Sequence, residues 1–166
     1  MTDGSASDVF KRLLTALNAA GIQVAQYHHE PVYTSAEAAA VRGTDLHSGA
    51  KALVVKAGEE FVLAVMPADL SLDGTALRKH LGCKRLRFAT GDEVLSLTGL
   101  TPGSIPPFGS LFGIPTICDE RLADNREINF NAGSHTDSIQ MEYRSYVTFE
   151  SPRLARIAKP SEPRPS

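Results

Sequence analysis

Cysteine is scarce in this chain. Cys83 and Cys118 are the only two, and no CxxC pair exists. A zinc site built on thiolates is thereby excluded, and so is a disulfide scaffold. Two reduced, partly buried thiols are expected instead. Chelating histidine pairs are missing as well. His28 and His29 are adjacent and point apart on a strand, while His47 and His80 stand alone, so neither a metal nor a cofactor is expected. A charge surplus is also lacking: 17 basic residues against 19 acidic leave a net charge of −2. General polyanion binding is therefore excluded, whereas contact with the end of one nucleic acid is not. No apolar run approaches the ~18 residues that span a bilayer. The opening MTDGSASDVF has no basic stretch followed by an apolar one, so no secretory signal and no membrane partner are expected, and the location expected is cytoplasmic. The G-x-S-x-G turn of serine hydrolases is absent. Ser48-x-x-Lys51 matches a serine–lysine pattern, but no SDN or KTG partner accompanies it.

What remains is a chain of 166 residues, 42% hydrophobic and 22% charged, the profile of one soluble globular domain. Residues 8–20 place Val9, Leu13, Leu14, Leu17 and Ala20 on one helical face, with Ser7 or Asp8 as cap and Gly21 as stop. Residues 22–27 alternate as a half-buried strand. Thr34 and Glu37 form a capping box for the alanine-rich helix that Gly43 closes. AKALVVKA at 50–57 and FVLAVMP at 61–67, separated by Gly58-Glu59-Glu60, predict a central hairpin. A short helix follows Asp73-Gly74, and RLRFA at 85–89 reads as a strand. A second capping box, Thr90 and Glu93, opens VLSLTG. Strands are expected at LFGIPTIC, EINFN, SIQMEY and LARIA, and the segment RSYVTFES fits no element. The polar KPSEPRPS, 159–166, is expected to be a disordered tail behind a domain of 1–158. Many short strands with a hairpin at the centre argue for a mixed or antiparallel sheet, not regular βαβ winding.

Three places could carry chemistry. Lys51 stands at the mouth of an apolar strand, where its ammonium could hold a phosphate or carboxylate, or simply be solvated. The stretch TGLTPGSIPPFG, 98–109, sets glycines around Ser104-Ile105-Pro106-Pro107. Prolines fix such a loop and glycines admit close approach, so it is either a backbone N–H cradle for a carbonyl or an ordinary turn. Asn131-Ala132-Gly133-Ser134-His135 joins two strands, and its histidine could donate to a substrate, act as a base, or be merely exposed. Lys79, Lys84, Arg85 and Arg87 form either a small basic patch or a solvated face.

The order and spacing of these signals are more specific than any one of them. GAKALVVKAGEEFVLAVMPADLSLDGTALRKHLGCKRLRFATGDEVLSLTGLTPGSIPPFG, then IPTICDERL, EINFNAGSH and SIQM, resemble the YbaK family of aminoacyl-tRNA deacylases, also found as an editing domain inserted in bacterial prolyl-tRNA synthetases. The likeness runs from about Val24 to Ile157. It sets Lys51 on the family lysine, Gly103-Ser104-Ile105-Pro106-Pro107 on the GxxxP loop, and Gly133 on a glycine of the late turn. The implied fold is α+β, a mixed, mostly antiparallel, barrel-like sheet surrounded by short helices. The implied activity is metal-independent hydrolysis of the ester between a wrong amino acid and the 3′ end of a tRNA. The implied catalytic residues are Lys51, Gly103, Ser104, Ile105, Pro107 and Gly133, with Ser134 and His135 binding substrate. No synthetase catalytic or anticodon domain fits in this length, so a free-standing enzyme is expected, acting alone or in complex with a synthetase. Its partner would be the aminoacyl-tRNA acceptor end. The competing reading is a non-catalytic amino-acid or nucleotide-binding module on the same fold.

Overall fold

A computed structural model describes residues 2–31, 36, 40 and 45–161. The second capping box, the central hairpin and the helix after Asp73 form as the patterns predict. Strand β2 (Ala50–Ala57) pairs antiparallel with β3 (Glu60–Pro67), in register from Ala50 opposite Pro67 to Ala57 opposite Glu60. Their β-branched and small apolar residues suit a pleated surface covered on both sides. Around this hairpin the order β5-β2-β3-β6-β9 builds a five-stranded mixed sheet, with β5 at Leu86–Phe88, β6 at Thr116–Asp119 and β9 at Arg153–Ala155. β6 runs parallel to both β3 and β9. A second, antiparallel sheet has the order β1-β8-β7, from Ala25–His28, Asp137–Glu142 and Glu127–Asn131. A third pairs β4 (Leu70–Leu72) with β10 (Ala158–Pro160). Mixed α+β architecture with mostly antiparallel pairing is thus present. No closed barrel forms among the described residues; the strands lie in three sheets.

Side chains alternate across the hairpin, and each face has its own core. Ala50, Ala52, Val54, Leu63 and Val65 meet Leu13 and Leu17 of helix α1 (Thr2–Ala19), Ile128 and Phe130 of β7, Ile139 of β8 and Phe108. Val55, Val62, Ala64 and Met66 meet Leu77 of α2 (Gly74–Leu81), Ile117, Ile157 and Ala158 on the other side. Helix α3 (Gly91–Thr98) adds Val94 to the first cluster, and α4 (Tyr143–Glu150) adds Tyr146.

Several boundaries differ from expectation. Helix α1 begins at Thr2, so Ser7 and Asp8 lie inside it instead of capping it; no proline precedes them to stop the helix. Ala25–His28 is exposed throughout, because it is the edge of its sheet and only Ile22 and Val24 before it reach the core. The strand expected from Leu111 starts at Thr116. Gly109–Phe112 is a 3-10 turn, and Gly113 and Pro115 interrupt the extended run. The segment RSYVTFES, to which the pattern assigns no element, is helical up to Glu150, and the helix starts at Tyr143, the last residue expected in the strand before it.

LARIA is two strands, not one. The buried Asp119 carboxylate breaks it by accepting the Ile157 and Ala158 N–H groups, both at 2.8 Å. Lys159 and Pro160, expected in the tail, instead pair with Ser71 and Leu70; residues 162–166 lie outside the described residues. The capping box at Thr34 and Glu37 lies outside the described residues. Among those residues, no helix is long and apolar enough to cross a membrane.

Candidate active site

Helix α3 delivers the chain into the glycine–proline loop. Its capping box is complete: Thr90 Oγ1 accepts the Glu93 N–H at 3.1 Å and Glu93 Oε1 accepts the Thr90 N–H at 2.8 Å. Thr98 Oγ1 donates to the Val94 carbonyl and accepts the Leu100 N–H, which turns the chain out of the helix. Beyond, Thr101, Pro102 and Gly103 are exposed, while every residue from Ser104 to Gly109 is buried.

The buried half is bolted to the core. Phe108 meets Phe130, Tyr146 and Phe149 edge-on, at centroid distances of 5.5, 5.2 and 5.7 Å. The Tyr146 hydroxyl donates to the Pro107 carbonyl at 2.7 Å. Adding a Cβ at Gly109 would put it 2.6 Å from the Ile114 carbonyl oxygen. A loop held in this way pays little entropy on binding a ligand.

The exposed half faces the turn between β7 and β8. The Gly133 N–H donates to the Ser104 carbonyl at 2.8 Å, and Asn131 Nδ2 donates to the Gly103 carbonyl at 2.7 Å. His135 Nε2 lies 3.4 Å from Thr101 Oγ1. Gly103 and Gly133 have φ of 91° and 97°, values that favour glycine. A Cβ on Gly103 would stand 3.4 Å from His135 Cε1. The structure therefore brings together Gly103, Ser104, Ile105, Pro107, Gly133, Ser134 and His135.

The donors of this cluster are already sorted. The Ser104 N–H and hydroxyl both go to the Thr101 carbonyl, at 3.2 and 2.8 Å. With that hydroxyl committed and 2% of the residue exposed, Ser104 is poorly placed to be a nucleophile. Pro106 and Pro107 have no N–H to give. Among the described residues the Gly103 and Ile105 N–H groups have no hydrogen-bond partner. Ser134 serves its own turn: its hydroxyl donates to Asp137 Oδ2 at 2.8 Å and accepts the N–H groups of Thr136 and Asp137. Burial pushes the Asp137 carboxyl up, but hydrogen bonds from His28, Ser134 and Thr136 outweigh it and hold the carboxyl below its usual range.

Lys51 is not in this cluster. Its neighbours Ala50 and Ala52 share a core with Ile105 and Phe108, whereas Lys51 lies on the alternate face, opposite Met66. Its ammonium donates to the Leu70 carbonyl. Burial lowers its pKa, and the nearby Asp69 carboxylate partly opposes this. Asp69 also accepts from His47 Nδ1 at 2.9 Å, while His47 Nε2 meets Asp124 at 3.2 Å. Sequence reasoning included Asn131 and Thr101 in its two stretches without giving either a role, and it missed Asp137 and Tyr146. Asp137 is held locally, by Ser134 and Thr136, whereas Tyr146 owes its place to a contact with Pro107 far along the chain. Cys118 is buried beside Asp119, and its thiol is pushed up to about 12 by that burial, which makes it inert.

Known proteins resemble this chain in sequence and in fold. The model of the aminoacyl-tRNA editing domain matches residues 29–149. The chain is 33% identical over 154 residues to the multifunctional Ser/Thr-tRNA deacylase ProXp-y of Escherichia coli strain K12, covering 90% of this chain and 92% of that one. It is 36% identical over 110 residues to the proline–tRNA ligase of Trichlorobacter lovleyi, a match that takes in 63% of this chain and 19% of the ligase. The crystal structure of hypothetical protein APE2540 superimposes with a TM-score of 0.82 at 24% identity, covering 89% of this chain and 99% of that one, a likeness of fold.

Proposed function

The chain belongs to the aminoacyl-tRNA editing domain family, and from that membership we propose that it hydrolyses the ester joining a wrongly attached amino acid to the 3′ end of a tRNA. The observation that carries this reading is the pair of uncommitted N–H groups, Gly103 and Ile105, in a loop the core holds rigid. An aminoacyl ester is already activated, so the protein needs to hold its carbonyl and admit a water. Water adds to the carbonyl carbon, and the oxygen that becomes negative accepts from Gly103 and Ile105. The bond to the ribose oxygen then breaks, releasing the free amino acid and a tRNA with its hydroxyl restored. Loss of one such donor typically costs about 10²–10³ in rate.

His135, across from Gly103, lines the same opening and shapes the space around the amino acid. The substrate's own 2′-hydroxyl, close to the reacting carbonyl, activates the water. Lys51 grips the terminal phosphate or ribose edge; to do so its ammonium exchanges the Leu70 carbonyl for the ligand. The enzyme works as one editing domain, apart from a synthetase's catalytic domain, in the cytoplasm where aminoacyl-tRNA is made. The Gly49–Asn129 bridge between the two larger sheets supports a barrel-like arrangement around their common core.

Seryl-tRNA and threonyl-tRNA, the substrates in the relative's name, are the first to test. Release of free amino acid with multiple turnover is the expected result, undiminished by EDTA. Stoichiometric binding without release would instead favour a module that senses its ligand.

A further inference from the structure

Between Asp73 and Asp92 the chain carries Arg78, Lys79, Lys84, Arg85 and Arg87 and no acidic residue. The fold gathers this run. Arg78 and Lys79 occupy the last turn of α2. The Arg85 carbonyl accepts the Gly58 N–H at 2.9 Å, pinning the segment to the turn between β2 and β3. β5 then continues this antiparallel ladder, and its register sets Arg87 directly opposite Lys56. Arg85, two residues earlier, faces the same side.

Like charges directly opposite each other in a sheet are destabilising. Here the repulsion is only partly relieved. Glu93 takes Arg87 in a bidentate pair at 2.7 and 3.0 Å, and Lys56 sits 5.8 Å from the Phe61 ring centroid. Lys79, Lys84 and Arg85 are exposed and have no ion pair among the described residues. Lys56, Gly58, Glu59, Arg85, Leu86 and Arg87 line a groove of about 360 Å³.

We propose that this face docks the phosphodiester backbone of the substrate tRNA's acceptor arm, while the loop 99–109 takes the aminoacylated end. The inference rests on the editing reading. Lys56, Arg78, Lys79, Lys84, Arg85 and Arg87 outnumber the carboxylates among them, Glu59 in the groove and Glu93 on Arg87, and that excess of positive charge is complementary to a row of phosphates. Helix α3 separates the basic strand from the loop, and eight residues of helix span about 12 Å. A docking face this small also reconciles nucleic-acid binding with a net charge of −2.

The test uses the whole chain and two arms. In the first, unfractionated deacylated tRNA is titrated with wild type, with Lys84→Glu/Arg85→Glu, and with Arg126→Glu/Arg144→Glu, a control of equal charge change at two exposed arginines elsewhere. The first variant is expected to bind at least tenfold more weakly and to flatten the salt dependence of log K by about 1.5, two phosphate contacts' worth. The control should stay within about twofold of wild type, since surface charges away from the contact act weakly. Equal binding by the two variants overturns the proposal.

The second arm compares hydrolysis of seryl-tRNA with that of a seryl-CCA trinucleotide. The patch variant should lose kcat/KM through KM on the tRNA and keep it on the trinucleotide. Equal loss on both would place the patch inside the reaction site and overturn docking. A wild type inert on both substrates, whose tRNA binding still depends on Lys84 and Arg85, would sink the editing reading and leave the docking face standing.

Discussion

Gly103 has a φ of 91°, a backbone conformation that L side chains rarely adopt, while a Cβ there would only touch His135 Cε1 at 3.4 Å. Gly103→Ala should therefore strain and shift the loop. A displacement of about 1 Å at the reacting carbonyl costs on the order of 100-fold, and the expected loss in single-turnover deacylation is of that size. Ser104→Ala removes one hydrogen bond to the Thr101 carbonyl, worth about 1 kcal/mol of stability, and should leave the rate within a few-fold of wild type. A dead Ser104→Ala beside an active Gly103→Ala, both folded by circular dichroism, would replace the backbone cradle with covalent catalysis. Lys51→Ala is expected to keep the fold and to slow deacylation at least tenfold, about 1.4 kcal/mol in the barrier. Wild-type rates from that variant would leave Lys51 only its visible partner, the Leu70 carbonyl.

Helix α3 and the turns around β2 set the geometry that those residues use. Thr90→Ala breaks one half of the capping box and should cost about 1 kcal/mol in urea unfolding. The other half is pH-dependent. The Arg87 hydrogen bond, with the Thr90 N–H, holds the Glu93 carboxyl down at about 2. A depressed carboxyl contributes stability above its unfolded value of 4.5 and loses it as the pH falls toward 2.

His47 behaves in the opposite sense. It ties the 3-10 turn Leu46–Ser48 to Asp69 and Asp124, and the Asp69 hydrogen bond raises its pKa above 6.5 despite burial. Its contribution is complete below 6.5 and fades as the pH climbs through the raised folded-state value. The gap in urea midpoint between wild type and His47→Gln should accordingly be widest on the acid side of that window and narrow on the alkaline side. A gap independent of pH would mean that the imidazolium contributes nothing.

For the molecule as a whole, Asp119 joins what the chain order keeps apart. At the end of β6 it takes the N–H groups of Ile157 and Ala158 and both Nε and Nη2 of Arg121, which in turn donates to the Ala158 carbonyl. Burial pushes the carboxyl up, but these hydrogen bonds prevail and hold it below its ordinary value. The C-terminal strands pair with β6 and with β4 through their backbones, and this one side chain holds the corner between them. Asp119→Ala should destabilise the protein by roughly 3 kcal/mol, the cost of leaving a buried pair without one partner. In deacylation per folded molecule the same variant should match wild type, because the glycine loop is anchored elsewhere, by Phe108 and Tyr146.

Local chemistry settled a good part of this protein in advance. Period-two and period-3.6 patterns set the hairpin, α2 and α3, and Asp73, Thr90, Gly82 and Gly99 mark helix ends because capping is a matter of near neighbours. Resemblance placed both glycine stretches in the site before their contact was visible. Tertiary structure alone decided what depends on partners far along the chain. It folded 143–150 into a helix whose Tyr146 holds Pro107, split LARIA at the Asp119 carboxylate, and drew Lys159 and Pro160 into a strand on β4. It also separated Lys51 from the loop. Which face a side chain joins follows from a strand's alternation, but what waits on that face is set by packing between elements that no local pattern contains.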